Sequence, residues 1–162
     1  MLTRSAAFSM APPALASRWF VLFENQVGPY SNVVETVEAT FINTEAKARY
    51  SQGSNNYFAE TTDIEGLNIM FYEDEKFSVT KWLKDWRKQV YNPENGVYGY
   101  PDDYKKRIYI ELFSYEENRP ILTLGYKNCW PTTAGTLALS YEDPNGRLQV
   151  TQQFSVDTLE FE

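Results

Sequence analysis

The chain has 162 residues, of which 43% are hydrophobic and 16% aromatic, and this is enough apolar material for one core but too little length for two ordinary domains. We therefore expect a single globular domain over residues 1–162. The 15 lysines and arginines are outnumbered by 22 acidic residues, and the net charge of −7 excludes a protein that holds nucleic acid on a basic surface. Cys129 is the only cysteine, so an internal disulfide is impossible.

Residues 1–17 are rich in Ala and Pro, and they predict a flexible arm that orders on assembly. The sequence Ala-Leu-Ala at 14–16 has the form of a signal-peptidase site, but Ser9 and a pair of prolines interrupt the apolar run that a leader needs. We therefore favour an arm over a cleaved leader. Because no window reaches the roughly 20 apolar residues of a membrane span, we expect a soluble protein that does not bind membranes.

The next segments alternate between strand patterns and polar connections. Residues 18–23 are aromatic and β-branched, which predicts a strand buried on both faces. Residues 33–42 alternate apolar and polar side chains, which predicts a strand with one solvated face. Residues 43–56 are polar with Gly, Ser and Asn, and we expect a long loop of the kind that commonly serves function or an interface. The β pattern resumes over residues 57–72.

A change of period predicts one amphipathic helix at residues 75–91. Apolar residues recur at the spacing of one helical face, at Val79, Trp82, Leu83, Trp86 and Val90. The acidic residues 73–75 stand where a helix N-terminus favours negative charge. This pattern is typical of a helix packed on a sheet, so we interpret Trp82 and Trp86 as core residues rather than as a cofactor platform.

After the helix, the sequence predicts a second long loop and two pairs of strands. Residues 92–106 contain several glycine and proline breaks and predict the loop. Residues 107–128 alternate on both sides of a polar turn, which predicts a hairpin. The last pair, 136–142 and 147–161, is joined by the sequence Asp-Pro-Asn-Gly, which suits a type I turn. The apolar face of the final strand slips by one residue, which predicts a β-bulge.

The composition argues against an enzyme and against a metal site. The chain has no histidine, so the commonest general base and metal ligand is missing. Cys129 has no histidine to activate it, and we interpret it as a buried small apolar residue. Asp102 and Asp103 are adjacent in a predicted loop and are interpreted as solvated turn residues. We therefore predict no catalytic residue, no cofactor and no metal ligand.

The C-terminal third combines several features in a specific order. Trp130 and Pro131 are followed by a small-residue spacer with Gly135, a short strand, a turn, and a long final strand with an aromatic and acidic terminus. Residues 66–86 add a strand, an acidic helix cap and a helix that ends in an Asp-Trp pair. This order resembles the tail tube protein of T4-like contractile bacteriophages, and the likeness covers most of the chain from residue 18 onward.

The resemblance implies a mainly β fold, a small barrel or sandwich with one flanking helix and with long loops used for assembly. It implies that Trp130 and Pro131 form a fixed bend that sets the last hairpin against the core, because proline restricts its own backbone and that of the residue before it. Trp130 would be a large apolar plug, and Gly135 would stand where a Cβ atom clashes.

The resemblance also implies what the chain assembles with and where. Subunits would join into stacked hexameric rings, with the tail sheath, baseplate and tail terminator proteins as partners and the tape measure protein in the lumen before DNA. The implied location is the virion, with assembly in the cytoplasm of the host. DNA would pass without specific binding, because an acidic wall repels phosphate.

Glu35 and Glu38 are our candidates for the lumen wall. They lie on opposite faces of an ideal strand, so both point inward only where a bulge intervenes.

Two other interpretations stay open. The same fold suits a tube initiator of the baseplate, or the inner tube of a contractile injection system. A different class, a carbohydrate-binding β-sandwich, is suggested by 12 tyrosines and 4 tryptophans. Such a module needs a row of exposed aromatic side chains, whereas Trp82 and Trp86 occupy the apolar face of the predicted helix. An enzyme is the class that the sequence supports least.

Overall fold

The computed structural model describes residues 18–24, 33–114, 119–133, 135–142 and 146–162. The predicted N-terminal arm, the turn of the 107–128 hairpin and most of the Asp-Pro-Asn-Gly turn lie outside the described residues. The strands within them are β1 (Trp19–Phe23), β2 (Val34–Glu38), β3 (Asn43–Ser51), β4 (Ser54–Asp63), β5 (Leu67–Tyr72), β6 (Tyr91–Asn92), β7 (Val97–Tyr98), β8 (Lys106–Phe113), β9 (Pro120–Pro131), β10 (Thr136–Leu137), β11 (Gln149–Ser155) and β12 (Thr158–Phe161). The helices are α1 (Ser78–Val90) and the short α2 (Pro101–Tyr104).

The main sheet is antiparallel and follows the order β1-β8-β9-β11-β5-β2, with β12 beside β9 and β10 beside β11. A flat sheet would separate β1 from β5 by roughly 19 Å, because neighbouring strands lie about 4.8 Å apart. The rings of Phe23 on β1 and Phe71 on β5 are nevertheless 6.0 Å apart. The sheet therefore folds back on itself, and its two halves enclose one core.

We call β1, β8, β9 and β12 the first half, and β2, β5, β10 and β11 the second half. Among the described residues, the edge strands β1 and β2 do not pair with each other, so the sheet is an open sandwich and not a closed barrel. This confirms the mainly β class and the packed-sheet architecture that the sequence predicted.

The prediction that residues 18–23 are buried on both faces is wrong. Val21 and Phe23 are buried, but Phe20 is 52% exposed and Leu22 is 41% exposed. The reason is that β1 lies at the edge of an antiparallel sheet, which has a core on one side only. A short run of apolar residues cannot distinguish this arrangement from full burial.

The predicted amphipathic helix is confirmed as α1, and it covers the gap between the two halves. Its buried face consists of Val79, Trp82, Leu83 and Trp86. Trp82 meets Phe23 of the first half at 5.0 Å between ring centroids, and Trp86 meets Phe154 of the second half at 5.4 Å. The helix therefore joins the two halves through its tryptophans.

The acidic residues before α1 cap it, as their position predicted. The Asp74 carboxylate accepts hydrogen bonds from the backbone N–H of Ser78 at 2.9 Å and from its hydroxyl at 2.7 Å. The Glu73 carboxylate accepts from the backbone N–H groups of Val79 at 3.1 Å and Thr80 at 2.9 Å. Because these acids cap from outside the helix, α1 begins at Ser78 and not at residue 75.

Three other predicted segments need correction. The predicted strand at 136–142 is ordered as a strand only over β10, and the predicted loop at 92–106 contains the β6–β7 hairpin and α2. The predicted strand at 147–161 is two strands: β11 lies between β5 and β9, whereas β12 pairs with β9 alone. Ser155 faces Trp130 and Thr158 faces Lys127, so the register with β9 is the same on both sides of the interruption, and the one-residue slip of the apolar face marks a break between two strands and not a bulge.

Candidate assembly surfaces

The hairpin of β3 and β4 is the largest exposed element of the fold, and the prediction of a loop at 43–56 is wrong. The two strands pair from Asn43 opposite Asp63 to Ser51 opposite Ser54. Every residue of both strands is exposed. A two-stranded ribbon is at best marginally stable in water by itself, so this hairpin needs a surface to lie on.

One face of the hairpin is mostly apolar, and the opposite face carries charged side chains. Ala46 lies opposite Ala59 and Ala48 opposite Tyr57, so these side chains share a face with Tyr50, and we call this the alanine–tyrosine face. The opposite face carries a Lys47–Glu60 ion pair at 2.5 Å and the guanidinium of Arg49, 5.7 Å from the ring of Phe58. The apolar alternation Ala-x-Ala-x-Tyr was present in the sequence, but the surrounding polar residues concealed it.

The outer face of the second half is polar, and we call it the polar face. Its members are Glu35, Thr36, Glu38, Asn68, Met70, Tyr72, Gln149, Thr151 and Gln153. Arg147 stacks over the ring of Tyr72 at 3.8 Å, and the members of the face are acidic or neutral. A hollow of about 310 Å³ on this face is lined by Glu38 and Glu65 together with amide and hydroxyl side chains.

A bulge in β2 brings both candidate lumen residues to this polar face. Val34 pairs with Phe71 and Thr36 with Met70, so Glu35 is the extra residue between them. Glu35 accepts a hydrogen bond from the amide of Gln149 at 2.7 Å. Glu38 accepts one from the amide of Asn68 at 3.3 Å.

Glu35 also affects the pKa of a neighbouring side chain on the polar face, that of Tyr72. A hydrogen bond to Glu35 raises the pKa of the Tyr72 hydroxyl, with smaller increases from desolvation and from the carboxylate charge.

Trp130 and Pro131 are the last two residues of β9, and the chain bends two residues later, at Thr133. Pro131 is buried, whereas Trp130 is only half-buried. The Trp130 ring meets Tyr104 edge to face at 5.8 Å, and the indole N–H of Trp86 donates to the Tyr104 carbonyl at 2.7 Å. Both tryptophans therefore contact the last residue of α2.

Gly135 lies close to a buried polar cluster. A Cβ atom added at this position would lie 3.0 Å from the side-chain oxygen of Gln152 and 3.6 Å from the Arg87 guanidinium. Gln152 is fully buried, and its amide donates to the Thr133 carbonyl at 3.0 Å. Arg87 donates both to that carbonyl and to Gln152, and burial lowers the pKa of Arg87. This cluster ties the segment after β9 to α1.

Sequence analysis missed this cluster. Gln152 occupies an inward position between Val150 and Phe154, and a polar residue at an apolar position of a strand is the signal that indicates it.

A groove of about 680 Å³ runs between α1 and the segment after β9, and we call it the α1 groove. Its lining is mostly apolar and includes Leu83, Val90, Tyr91, Trp130, Leu137 and Val150. Lys84 and Lys88 of α1 also line it. An open apolar groove of this kind on a protein surface commonly receives a partner.

Cys129 is buried, as we interpreted it. Burial raises the pKa of its thiol to about 12, and its sulfur lies 3.4 Å from the Tyr126 carbonyl.

Across the described ranges, no group of three or more Cys, Asp or Glu side chains is placed to hold a metal ion. In the same ranges, no helix has the length and apolar character needed to cross a membrane.

The fold is similar to several solved structures. A tube-terminating cap structure of the anti-feeding prophage aligns with 100% of this chain and 99% of that chain, with 13% identity and a TM-score of 0.75. A sheath–tube complex of an extracellular contractile injection system in the extended state aligns with 99% of each chain, with 17% identity and a TM-score of 0.63. Hcp1 from Flavobacterium johnsoniae aligns with 89% of this chain and 94% of that chain, with 10% identity and a TM-score of 0.54.

The sequence itself points to one family. No curated protein sequence matches the chain. Residues 33–160 match the family described as phage tail tube protein, and this region begins directly before β2 and ends within β12. It therefore contains the exposed hairpin, both candidate glutamates, α1 and the Trp130–Pro131 pair. The match covers well over half of the sequence, and the chain belongs to the phage tail tube protein family.

Proposed function

We propose that the chain is a structural, non-enzymatic subunit of the inner tube of a contractile phage tail. Six copies form a ring, the rings stack, and the resulting tube conducts DNA during ejection. The single observation that carries this proposal is the β3–β4 hairpin, whose alanine–tyrosine face is exposed over its whole length in one subunit. Such a face gains free energy only when another surface covers it, and in a tube that surface belongs to another copy.

The polar face supports the conduit role. Glu35 and Glu38 lie on it together, and their two negative charges outnumber the positive charge of Arg147, which stacks over the neutral member Tyr72. A wall of this composition repels phosphate, whereas a wall of lysines would hold DNA by releasing its counterions. We therefore propose that the polar face lines the lumen.

The proposed partners follow from this role. Other copies form the tube, the tail sheath surrounds it, and baseplate and tail terminator proteins meet its ends. The tape measure protein occupies the lumen before DNA. The solved structures of similar fold include a sheath–tube complex and a tube-terminating cap, which supports these partners. The chain would then be assembled in the cytoplasm of the bacterial host and carried in the virion.

A second candidate is a subunit at one end of the tube, either a cap or an initiator on the baseplate. The observation that favours it is the likeness to a tube-terminating cap along the full length of this chain, with a TM-score of 0.75. The inner tube of an injection system is a third form of the same role, and a gene neighbourhood with capsid and portal genes would identify the phage form.

Negative-stain electron microscopy and sedimentation velocity of the purified full chain test the proposal. A tube subunit is expected to form rings and open-ended tubes whose length increases with protein concentration. An end subunit is expected to stop at single rings. A stable monomer at the highest accessible concentration would contradict both candidates.

A further inference from the structure

We propose that copies of the chain join head to tail through one specific pair of surfaces. An apolar surface on the first half of one copy enters the α1 groove of the next copy, and Glu111 of the first copy faces Lys84 of the second. The inference rests on the proposed function, because it names a contact within the tube.

The first surface is formed by Phe20, Leu22, Phe113, Ile121 and Glu111, and we call it the β1 patch. Phe20 is 52% exposed and meets the half-buried Phe113 edge to face at 5.5 Å. Ile121 is 61% exposed where β9 has an irregular register with β8. Glu111 lies directly opposite Phe20 in the ladder between β1 and β8, and it makes no ion pair within the described part of the chain. The patch is therefore an exposed, mostly apolar surface that contains one carboxylate, that of Glu111.

The second surface is the α1 groove, which offers an apolar lining and a charge opposite to that of Glu111. It is concave and mostly apolar, with Trp130 and Leu137 accessible in its wall. Lys84 lines it and has no acidic partner among the residues that the structure describes, whereas Lys88 pairs with Glu94 at 3.2 Å. In a chain with a net charge of −7, an apolar groove with an unpaired lysine favours an apolar partner that carries a carboxylate.

The two surfaces lie at opposite ends of β9. Ile121 is near the start of this strand and Trp130 near its end, and nine residues of strand span about 30 Å. A contact between such distant and dissimilar surfaces is heterologous, so each copy uses one surface for each neighbour and the assembly continues beyond two copies. A symmetric pair that joined groove to groove would instead bring the unpaired lysines together, and like charges oppose it.

A charge exchange tests the contact. In the full chain, Glu111→Lys alone and Lys84→Glu alone each place like charges across the contact. We expect each variant to raise the protein concentration needed for assembly by at least about tenfold, measured by sedimentation velocity. An equimolar mixture of the two variants should restore assembly. When the two variants alternate along the assembly, every contact pairs a lysine of one copy with a glutamate of the next. Circular dichroism and thermal melting should match the unmodified chain.

The matched control is Lys81→Glu, which makes the same charge change on an exposed residue of α1 that does not line the groove. This variant should assemble normally by itself, and in a mixture with it the Lys84→Glu copies should remain unable to extend the assemblies. A second readout uses the variant Phe20→Cys/Leu137→Cys, in which the native Cys129 is buried. Oxidation should link it into a ladder of disulfide-joined copies, whereas each single-cysteine variant should form dimers at most.

The outcomes separate this contact from the proposed function. If the unmodified chain forms tubes and both charge variants assemble equally well, the contact is overturned while the function stands. If deletion of residues 1–17 abolishes assembly and the charge variants do not, the groove receives the N-terminal arm, and the contact is again overturned. Failure of the unmodified chain to assemble at all counts against the proposed function itself.

Discussion

Two carboxylates, those of Glu73 and Asp74, cap the start of α1, and the contribution of Asp74 depends on pH. Hydrogen bonds from the backbone N–H and the hydroxyl of Ser78 lower the pKa of Asp74 below its ordinary value of 3.8. The folded state therefore favours the charged carboxylate. A depressed pKa adds stability at pH values above the ordinary pKa, and this stability is lost as the pH falls through the lowered value.

We expect Asp74→Ala to lower the melting temperature at pH 7. In acid, the melting temperatures of the variant and of the unmodified chain should become equal. Once the carboxyl group is protonated in both states, the unmodified chain no longer has the charged cap, so the two melting curves should converge well below pH 3.8. Thermal melts followed by circular dichroism over a series of pH values measure this. Asp85→Ala, an exposed acid within the same helix, is the control and should have little effect at any pH. A constant difference down to the most acidic pH would contradict the capping role.

Gly99 and Gly125 differ in how much space surrounds the position of an added Cβ atom. A Cβ atom at Gly99 would lie 1.9 Å from the backbone oxygen of Gln89 at the end of α1, so the backbone must move. A Cβ atom at Gly125 would meet ring atoms of Tyr109 at 3.6 Å, an ordinary contact. We expect Gly99→Ala to lower the free energy of unfolding by about 1–3 kcal/mol and Gly125→Ala to change it little. Equal effects in urea unfolding would show that the β6–β7 hairpin moves freely against α1.

The two tryptophans that contact the residue Tyr104 differ in burial. Trp86 is buried and Trp130 is half-buried, so the same truncation removes more apolar contact from the first. We expect Trp86→Ala to cost about 3–5 kcal/mol of unfolding free energy and Trp130→Ala about half as much, as measured by chemical denaturation of the monomer. A cost for Trp130 as large as that for Trp86 would mean that the Trp130 ring is an anchor of the core.

At the scale of elements, the β3–β4 hairpin separates the stability of the subunit from its ability to assemble. All of its side chains are exposed, and its strands pair only with each other among the described residues. Its loss should therefore leave the core of the subunit intact. Its alanine–tyrosine face has a role only when another copy covers it.

We expect Tyr50→Ser/Tyr57→Ser to preserve the melting temperature of the monomer and to prevent tube formation. Tyr50 is 75% exposed and Tyr57 is 69% exposed, so neither contributes much to the core. Phe58→Ser is the control, because it removes an aromatic ring from the opposite face of the same hairpin. Melting curves and electron microscopy give the two readouts. Normal tubes from the double variant would show that this face is not an assembly surface.

At the scale of the whole molecule, the distribution of charge matters more than the net charge of −7. Acidic side chains lie on the polar face, whereas Lys84 and Lys88 line the α1 groove on the flank of the helix. The two surfaces therefore suit different neighbours. A face that repels phosphate suits a conduit, and a groove with lysines suits a protein partner.

We expect tubes of the variant Glu35→Lys/Glu38→Lys to retain DNA, with a binding constant that falls steeply as salt increases. Lysines on the lumen wall would replace the counterions of the phosphates, and the release of these ions makes binding depend on salt. Filter retention of labelled DNA over a salt series measures the effect. The variant Asp102→Lys/Asp103→Lys makes the same charge change on α2 and serves as the control. Unchanged retention by the first variant at low salt would show that the polar face does not line the lumen.

Much of the fold followed from local patterns. The amphipathic period predicted α1, the acidic residues predicted its cap, and alternation predicted the β8–β9 hairpin. The candidate site was only partly predictable. The sequence nominated Glu35 and Glu38 as candidates for the lumen wall, but the bulge that brings them to one face depends on the pairing of β2 with β5. The alanine–tyrosine face was missed because small alanines among polar residues give a weak apolar signal.

By itself, the sequence determined the features that depend on neighbouring residues along the chain. These are the mainly β class, the single long helix, and the absence of histidine and of a basic surface. Only the tertiary structure decided which faces are covered. It left Phe20 exposed on β1, interrupted the final strand at Val156 and Asp157 where the pairing with β5 ends and that with β9 continues, and left the β3–β4 hairpin without a cover. The physical reason is that side-chain alternation is a local property of a strand, whereas burial depends on strands that are distant in sequence.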